Sequence, residues 1–275
     1  MTTDGRDTRP RIVLTVASPK GHPRPDLVGR RNALYVAAVE RHGGTPILLD
    51  GEAGLDVRER DLARMDGLVL TGGPDIRPAR YGQQPAGAKL LDIDDRRDEL
   101  EGQAWQAAQE RGVAVLGICR GLQAINVFAG GSLIQHVQGH TGASWGDGAE
   151  PATHPLRLVA GTRLREVLGS DEVVVNSYHH QGVVAAGLGR SLRVAGVADS
   201  LEGELIEGLE GTDGRFVIGV QCHPERTEST PDAFDRLFAA FVEAAMSVSS
   251  EERPRGAATD RGRDHLARRD ASGDR

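Results

Sequence analysis

Apolar residues in the first half of this chain alternate between two patterns. Short continuous runs, Arg11 to Val16, Thr45 to Leu49, Gly67 to Leu70 and Val113 to Ile118, have the bounded, β-branched character of strands buried on both faces. The segments between them, Asp26 to Arg41, Asp56 to Arg64 and Asp95 to Gln109, read as helices. Such alternation predicts an α/β fold: a parallel sheet covered by helices on both faces, with any active site at the carboxyl ends of the strands. After Gly130-Gly131 the pattern changes to His154 to Val159, Glu172 to Asn176, Leu192 to Ala198 and Glu204 to Leu209, separated by Gly-rich turns. This half is expected to be mixed or antiparallel. Phe216 to Val220 is a further apolar strand, and Pro231 to Ser247 reads as an amphipathic helix with Ser229 or Thr230 as cap and Pro231 as first residue.

The flanks lack such patterns. Met1 to Pro10, and the Arg, Asp, Gly and Ala-rich stretch after Ser250, have too few apolar residues to bury, so disordered ends (1–10 and 249–275) are expected around one domain over 11–248. The chain's 275 residues suffice for one large core. A net charge of −7 argues against a general nucleic-acid surface. Two cysteines do not make a disulfide framework, and no apolar stretch is long enough for a signal peptide or membrane span, so the cytoplasm is the expected compartment. Oligomeric state is left open, a homo-oligomer included.

Candidate chemistry begins at Leu116-Gly117-Ile118-Cys119-Arg120-Gly121. A strand ends there and helical spacing starts with Leu122, Ile125, Asn126, Phe128 and Ala129, so Cys119 falls on a strand-to-helix turn with a glycine on either side. A helix N-terminus just beyond lowers a thiol pKa. An acyl-transfer cysteine needs a base and a group to orient it. Gln221-Cys222-His223-Pro224-Glu225 offers both: residues two apart in extended chain project to one side, and Pro224 stiffens the segment. His223 is thus the candidate base and Glu225 its orienting carboxylate. Donors for an oxyanion are expected at Thr71-Gly72-Gly73-Pro74, with Gly73 preferred over Gly72 because Pro74 has no N–H, and at the amide of Arg120.

Together these motifs resemble class I glutamine amidotransferase domains. The closer resemblance is to the γ-glutamyl-γ-aminobutyrate hydrolase family (C26 peptidase type), carried by Thr71 to Pro78 with Tyr81-Gly82, by Arg97-Asp98, by Gly117 to Gln123, by Val175 to Gln181 and by His223-Pro224-Glu225, over about Ile12 to Phe241. It implies a class I glutamine amidotransferase-like, flavodoxin-like fold. It also implies hydrolysis of a γ-glutamyl amide through a thioester on Cys119, with no cofactor and a small-molecule γ-glutamyl substrate. Gln123 would lie beside the glutamyl group, and Ser177, His179 and His180 would meet its α-amino and α-carboxylate ends. One departure is that Cys222 stands where many members carry tryptophan.

Plainer readings compete at several positions. Cys222 reads as a small buried hydrophobe. Gly72-Gly73 also serves as an ordinary turn. His179 and His180 suggest a metal, but His154 and His136 stand at no recognised ligand spacing, so no metal is expected. The run Asp92 to Asp98 reads as a solvated start of a helix, with the resemblance drawing Arg97 and Asp98 toward the site. Two alternatives to a stand-alone hydrolase are a glutaminase subunit delivering ammonia to a separate synthase, and a non-catalytic module of the same fold.

Overall fold

In the computed structural model, which describes residues 9–86, 93–141 and 150–252, the first apolar run forms β1 (Arg11–Thr15). It is followed by α1 (Pro25–Arg41), β2 (Thr45–Leu49), α2 (Leu55–Leu62) and β3 (Gly67–Leu70). Next come α3 (Asp95–Arg111), β4 (Ala114–Ile118) and α4 (Arg120–Phe128). The second half contributes β5 (Ala152–Leu158), α5 (Arg163–Leu168), β6 (Glu172–Ser177), β7 (Leu192–Ser200), β8 (Gly203–Gly211), β9 (Val217–Val220) and α6 (Asp235–Glu252). The nine strands among the described residues join one sheet in the order β2-β1-β3-β4-β9-β8-β7-β5-β6. The pairs from β2 through β9 are parallel, and those from β9 to β6 are antiparallel. The α/β architecture and its mixed second half therefore match the apolar pattern.

Successive residues of a strand face opposite sides of the sheet, and the core divides accordingly. Ile12, Leu14, Val69, Leu116 and Ile118 pack on one face with Tyr35 and Val39 of α1 and Phe238 and Phe241 of α6. Val13, Leu68, Leu70 and Val115 pack on the other with Leu100 and Ala104 of α3 and Leu122 and Ile125 of α4. Burial on both faces explains why these strands read as continuous apolar runs.

Several boundaries differ from expectation. Pro10, placed with a disordered terminus, is buried, and its carbonyl accepts a 2.8 Å bond from the Thr45 N–H, so it belongs to the sheet. The last helix starts later than Pro231, which is extended (φ −57°, ψ 143°) and precedes a short 3₁₀ turn, Asp232–Phe234. Thr230 does not act as the expected cap: its hydroxyl donates to the His223 carbonyl at 2.8 Å. Neither does Ser229, whose hydroxyl faces the Arg226 carbonyl at 3.4 Å. At its other end α6 runs through Glu252, beyond the expected end of the domain. The rest of the expected C-terminal tail, and residues 1–8, lie outside the described residues. The short α5 has no counterpart in the sequence reading, although Thr162 caps it through the Arg165 N–H.

Candidate active site

Cys119 sits between β4 and α4 with φ 54° and ψ −106°, and it is the one non-glycine residue with positive φ among the described residues. For a side chain with a Cβ this backbone is strained, and packing on both sides holds it. A Cβ on Gly121 would lie 1.9 Å from the Leu70 carbonyl oxygen, and one on Gly117 would lie 2.6 Å from the Gly121 carbonyl. Only glycine at both positions lets the first turn of α4 press against β3 and β4. The Cys119 N–H donates to the Val220 carbonyl at 2.8 Å, which ties the turn to β9, the strand that leads to His223.

His223 and Glu225 meet as their spacing suggests, with Nδ1 2.7 Å from the Glu225 Oε1. Asn176 at the end of β6 clamps the histidine backbone: its Oδ1 accepts the His223 N–H at 2.8 Å and its Nδ2 donates to the His223 carbonyl at 3.1 Å. Tyr178 packs edge-on against the ring, centroids 5.5 Å apart, and Arg226 stacks over Tyr178. The Nε2 of His223 has no nitrogen or oxygen partner among the described residues, and the Cys119 side chain is the group close enough to alter the ring's acidity. Burial disfavours an imidazolium there, but the Glu225 carboxylate, and after it the neighbouring Cys119, outweigh it and push His223 up to about 10. An imidazolium beside a thiolate is the pairing that makes a buried cysteine nucleophilic at neutral pH.

The Gly72-Gly73 turn borders the same space. The Gly72 N–H already donates to the Tyr35 hydroxyl at 3.1 Å, whereas the Gly73 N–H has no acceptor among the described residues. Arg120 is the first residue of α4, where helix geometry leaves an N–H without an intrahelical acceptor. The turn is held from behind by Arg97, whose Nη2 donates to the carbonyls of Thr71 at 2.9 Å and Gly72 at 3.0 Å. Arg97 pairs with Glu101 at 2.9 Å, and the Arg120 guanidinium pairs with both Glu101 and Asp98. All four of these side chains are buried, so Arg97 and Asp98 are not part of a solvated helix start. They form a balanced ionic layer beneath the turn. Asp94 does behave as a helix start should, its carboxylate accepting the N–H groups of Arg96 and Arg97.

Cys119, His223, Glu225, Gly72 and Gly73 open onto a cavity of about 720 Å³. Gln123, His179 and His180 also line it. Gln123 uses its Nε2 to hold the Gln181 carbonyl at 3.1 Å. The His180 Nε2–H donates to the Asp75 carboxylate at 2.9 Å. Ser177 departs from expectation: it is fully buried behind the wall, and its hydroxyl donates to the His140 carbonyl at 2.6 Å. His179 borders the cavity, yet its ring nitrogens face the Gln181 carbonyl and Glu207, away from any ligand there. Lys20, Arg24 and Arg31, with Glu52 and Asp94, line it as well.

Tyr35, Asn176 and Asp75 did not stand out as site residues in the sequence. Tyr35 falls at a core-facing helical position and is indistinguishable there from a packing aromatic. Asn176 left one signal, a polar amide of poor strand propensity closing an otherwise β-branched run. Burial, and then the nearby Glu225 carboxylate, raise the Tyr35 pKa well above its usual value, so the hydroxyl stays protonated.

A family model, Peptidase C26, matches residues 27–225. A Mycobacterium tuberculosis protein provisionally named a glutamine amidotransferase is 40% identical over 223 residues, covering 79% of this chain and 68% of that protein. The γ-glutamyl-γ-aminobutyrate hydrolase of Escherichia coli K12 is 31% identical over 244 residues, covering 85% and 91% respectively. Among solved structures, the glutaminase domain of a Trypanosoma brucei CTPS with bound acivicin superposes with a TM-score of 0.60 at 18% identity, over 86% of this chain and 94% of that one. At that identity the likeness concerns the fold, which is the glutamine amidotransferase-like one. Among the described residues no helix is long and apolar enough to cross a membrane.

Proposed function

The chain belongs to the peptidase C26 family, and from that premise we propose that it hydrolyses a γ-glutamyl amide, γ-glutamyl-γ-aminobutyrate or a related γ-glutamyl amine, with Cys119 as nucleophile. The observation that carries this reading is the convergence of Cys119, on its strained turn, with the His223–Glu225 pair and the unengaged Gly73 amide at one cavity. The Cys119 thiolate attacks the γ-carbonyl carbon. The resulting oxyanion accepts hydrogen bonds from the N–H groups of Gly73 and Arg120. As the C–N bond breaks, His223 donates its Nε2 proton to the leaving amine, and a γ-glutamyl thioester remains on Cys119. A water then gives its proton to His223 and attacks the thioester, releasing glutamate and restoring the thiolate–imidazolium pair. Glu225 keeps the ring oriented throughout and supports its charge.

The cavity supports the substrate class. Its volume falls in the range usual for small-molecule sites. Its wall carries both signs of charge, as the α-amino and α-carboxylate ends of a glutamyl group require, Asp75, Glu52 and Asp94 among the acidic groups and Lys20, Arg24 and Arg31 among the basic ones. The sequence relationship to the E. coli hydrolase points the same way. The second reading is a glutaminase whose ammonia passes to a separate synthase, favoured by the name of the M. tuberculosis relative. A panel of glutamine, γ-glutamyl-γ-aminobutyrate, γ-glutamyl polyamines and γ-glutamyl peptides, assayed for glutamate release with Cys119→Ala as control, separates the two. A kcat/KM for γ-glutamyl-γ-aminobutyrate well below that for glutamine, or turnover only when a synthase is added, overturns the hydrolase reading.

A further inference from the structure

Behind the cavity wall, four side chains that are far apart in sequence converge. His140 from the loop after α4, His154 of β5, His179 from the turn after β6 and Glu207 of β8 place one ligand atom each within 4.8 Å of one another. The Glu207 Oε1 lies 3.1 Å from the His140 Nδ1 and 3.2 Å from the His179 Nε2, and its Oε2 lies 3.4 Å from the His154 Nε2. We propose that these residues form a closed site for a divalent transition ion of the zinc type, with a structural role.

Three observations carry the proposal. The first is tautomer. The outward nitrogen of each ring faces a backbone carbonyl: His140 Nε2 to Asp199 at 3.3 Å, His154 Nδ1 to Pro155 at 3.3 Å and His179 Nδ1 to Gln181 at 2.9 Å. A carbonyl only accepts, so the ring proton belongs on that outward side. With the ring protons on that side, the three inward nitrogens turn lone pairs toward the Glu207 carboxylate, a buried set of acceptors that a shared cation balances. His140 Nδ1, His154 Nε2, His179 Nε2 and Glu207 Oε1 are buried and, among the described residues, meet one another only through these close His–Glu207 contacts and not through well-aligned hydrogen bonds. An outward N–H donated to a carbonyl is also what orients histidines that ligate metals.

The second is size. Zinc with nitrogen or oxygen ligands at about 2.0 to 2.1 Å in tetrahedral geometry separates adjacent ligand atoms by roughly 3.3 Å. The Glu207 Oε1 stands 3.1 Å and 3.2 Å from the nitrogens of His140 and His179, close to that value, while His154 faces the other carboxylate oxygen at 3.4 Å and the whole set, within 4.8 Å, closes inward on an ion by small side-chain rotations. The third is connectivity. Four protein donors and no open position mark a structural rather than a catalytic ion. Here the donors come from four separate segments, and His179 adjoins His180 on the cavity wall. An ion would therefore clamp the turn that carries His180. Cys222, close enough to Glu207 to feel its charge, is outside the donor set.

The test uses the full chain stripped with a chelator and titrated with cobalt(II), then zinc. One equivalent of cobalt is expected, with the visible absorption of a tetrahedral site, no thiolate charge-transfer band, displacement by zinc and a higher melting temperature with either metal. His154→Asn and Glu207→Gln should lose the visible band, while Cys119→Ala and Cys222→Ala keep it. Because a donor variant can fail to fold, the wild-type spectrum is decisive by itself. A thiolate charge-transfer band, the weak spectrum of octahedral cobalt, a band that disappears in Cys119→Ala, or a melting temperature indifferent to both metals overturns the proposal.

Discussion

The hydroxyl of Tyr35 accepts the N–H of Gly72 at 3.1 Å, which uses one of the two adjacent amides at the end of β3 and leaves Gly73 to face the cavity. The same hydroxyl lies 3.5 Å from the His223 Nδ1, so one α1 side chain touches both the Gly72-Gly73 turn and His223. Removing it strands a buried N–H, which costs about 1 to 3 kcal/mol. Tyr35→Phe should lower the melting temperature by a few degrees and reduce kcat about tenfold with KM little changed. Steady-state kinetics beside a thermal melt check this, and an unchanged kcat would show that the turn does not depend on Tyr35.

Gly73 leaves no room for a side chain. A Cβ there would lie 2.1 Å from the Arg97 Nη1, and Arg97 is fixed by its bonds to Thr71, Gly72 and Glu101. Gly73→Ala must displace either the turn or the ionic layer beneath it. The expected outcome is a loss of kcat of about 10² to 10³, the scale of losing one oxyanion donor. Near-normal kcat in this variant would remove Gly73 from the oxyanion hole.

The two thiols should differ sharply. Burial raises the Cys222 pKa well above its usual value, while Cys119 faces His223 at the cavity. Iodoacetamide is expected to label Cys119 first, and Cys119→Ala or Cys119→Ser should abolish turnover with the fold retained. Peptide mapping that finds Cys222 labelled first contradicts the assignment.

His223 carries a pH signature. Its folded-state pKa, about 10, is raised above the unfolded value of about 6.5, so the imidazolium stabilises the fold fully below the unfolded pKa and ceases to do so as pH rises through 10. Glu225→Gln removes the principal support of that charge. The melting-temperature gap between the parent and Glu225→Gln should therefore be widest near pH 6 and close toward pH 10. In kcat/KM the same variant should be milder than His223→Ala, because the carboxylate orients and does not transfer the proton. A gap that widens with rising pH would refute the charged state of the ring.

Ser177 and His180 were equivalent candidates in sequence and are not in space. Ser177→Ala should leave KM within about twofold and cost about 1 kcal/mol of stability through its lost bond to the His140 carbonyl. His180→Ala, on the cavity wall, should raise KM about tenfold, equivalent to about 1.4 kcal/mol. Equal effects on KM would return Ser177 to the substrate site.

Local and periodic information was enough for much of this molecule. The strands β1 to β4, their helices and the Cys119 turn were legible because burial on both faces, helical spacing and glycine placement write themselves directly into neighbouring residues. His223 and Glu225 were legible for the same reason, since two residues of extended chain bring their side chains together. Tertiary structure alone decided the rest. Tyr35 reaches Gly72, Arg97 supports that turn from below, Asn176 clamps His223 across the sheet, and His140, His154, His179 and Glu207 meet from four segments. Linear spacing had set His154 apart from His179, and the charge run had placed Arg97 in solvent. Spacing could not register that His154 and His179 meet, nor the charge run that Arg97 is buried, for one physical reason: contacts between strands and helices distant in sequence depend on sheet order and crossover packing, which bring residues together without leaving any periodic trace along the chain.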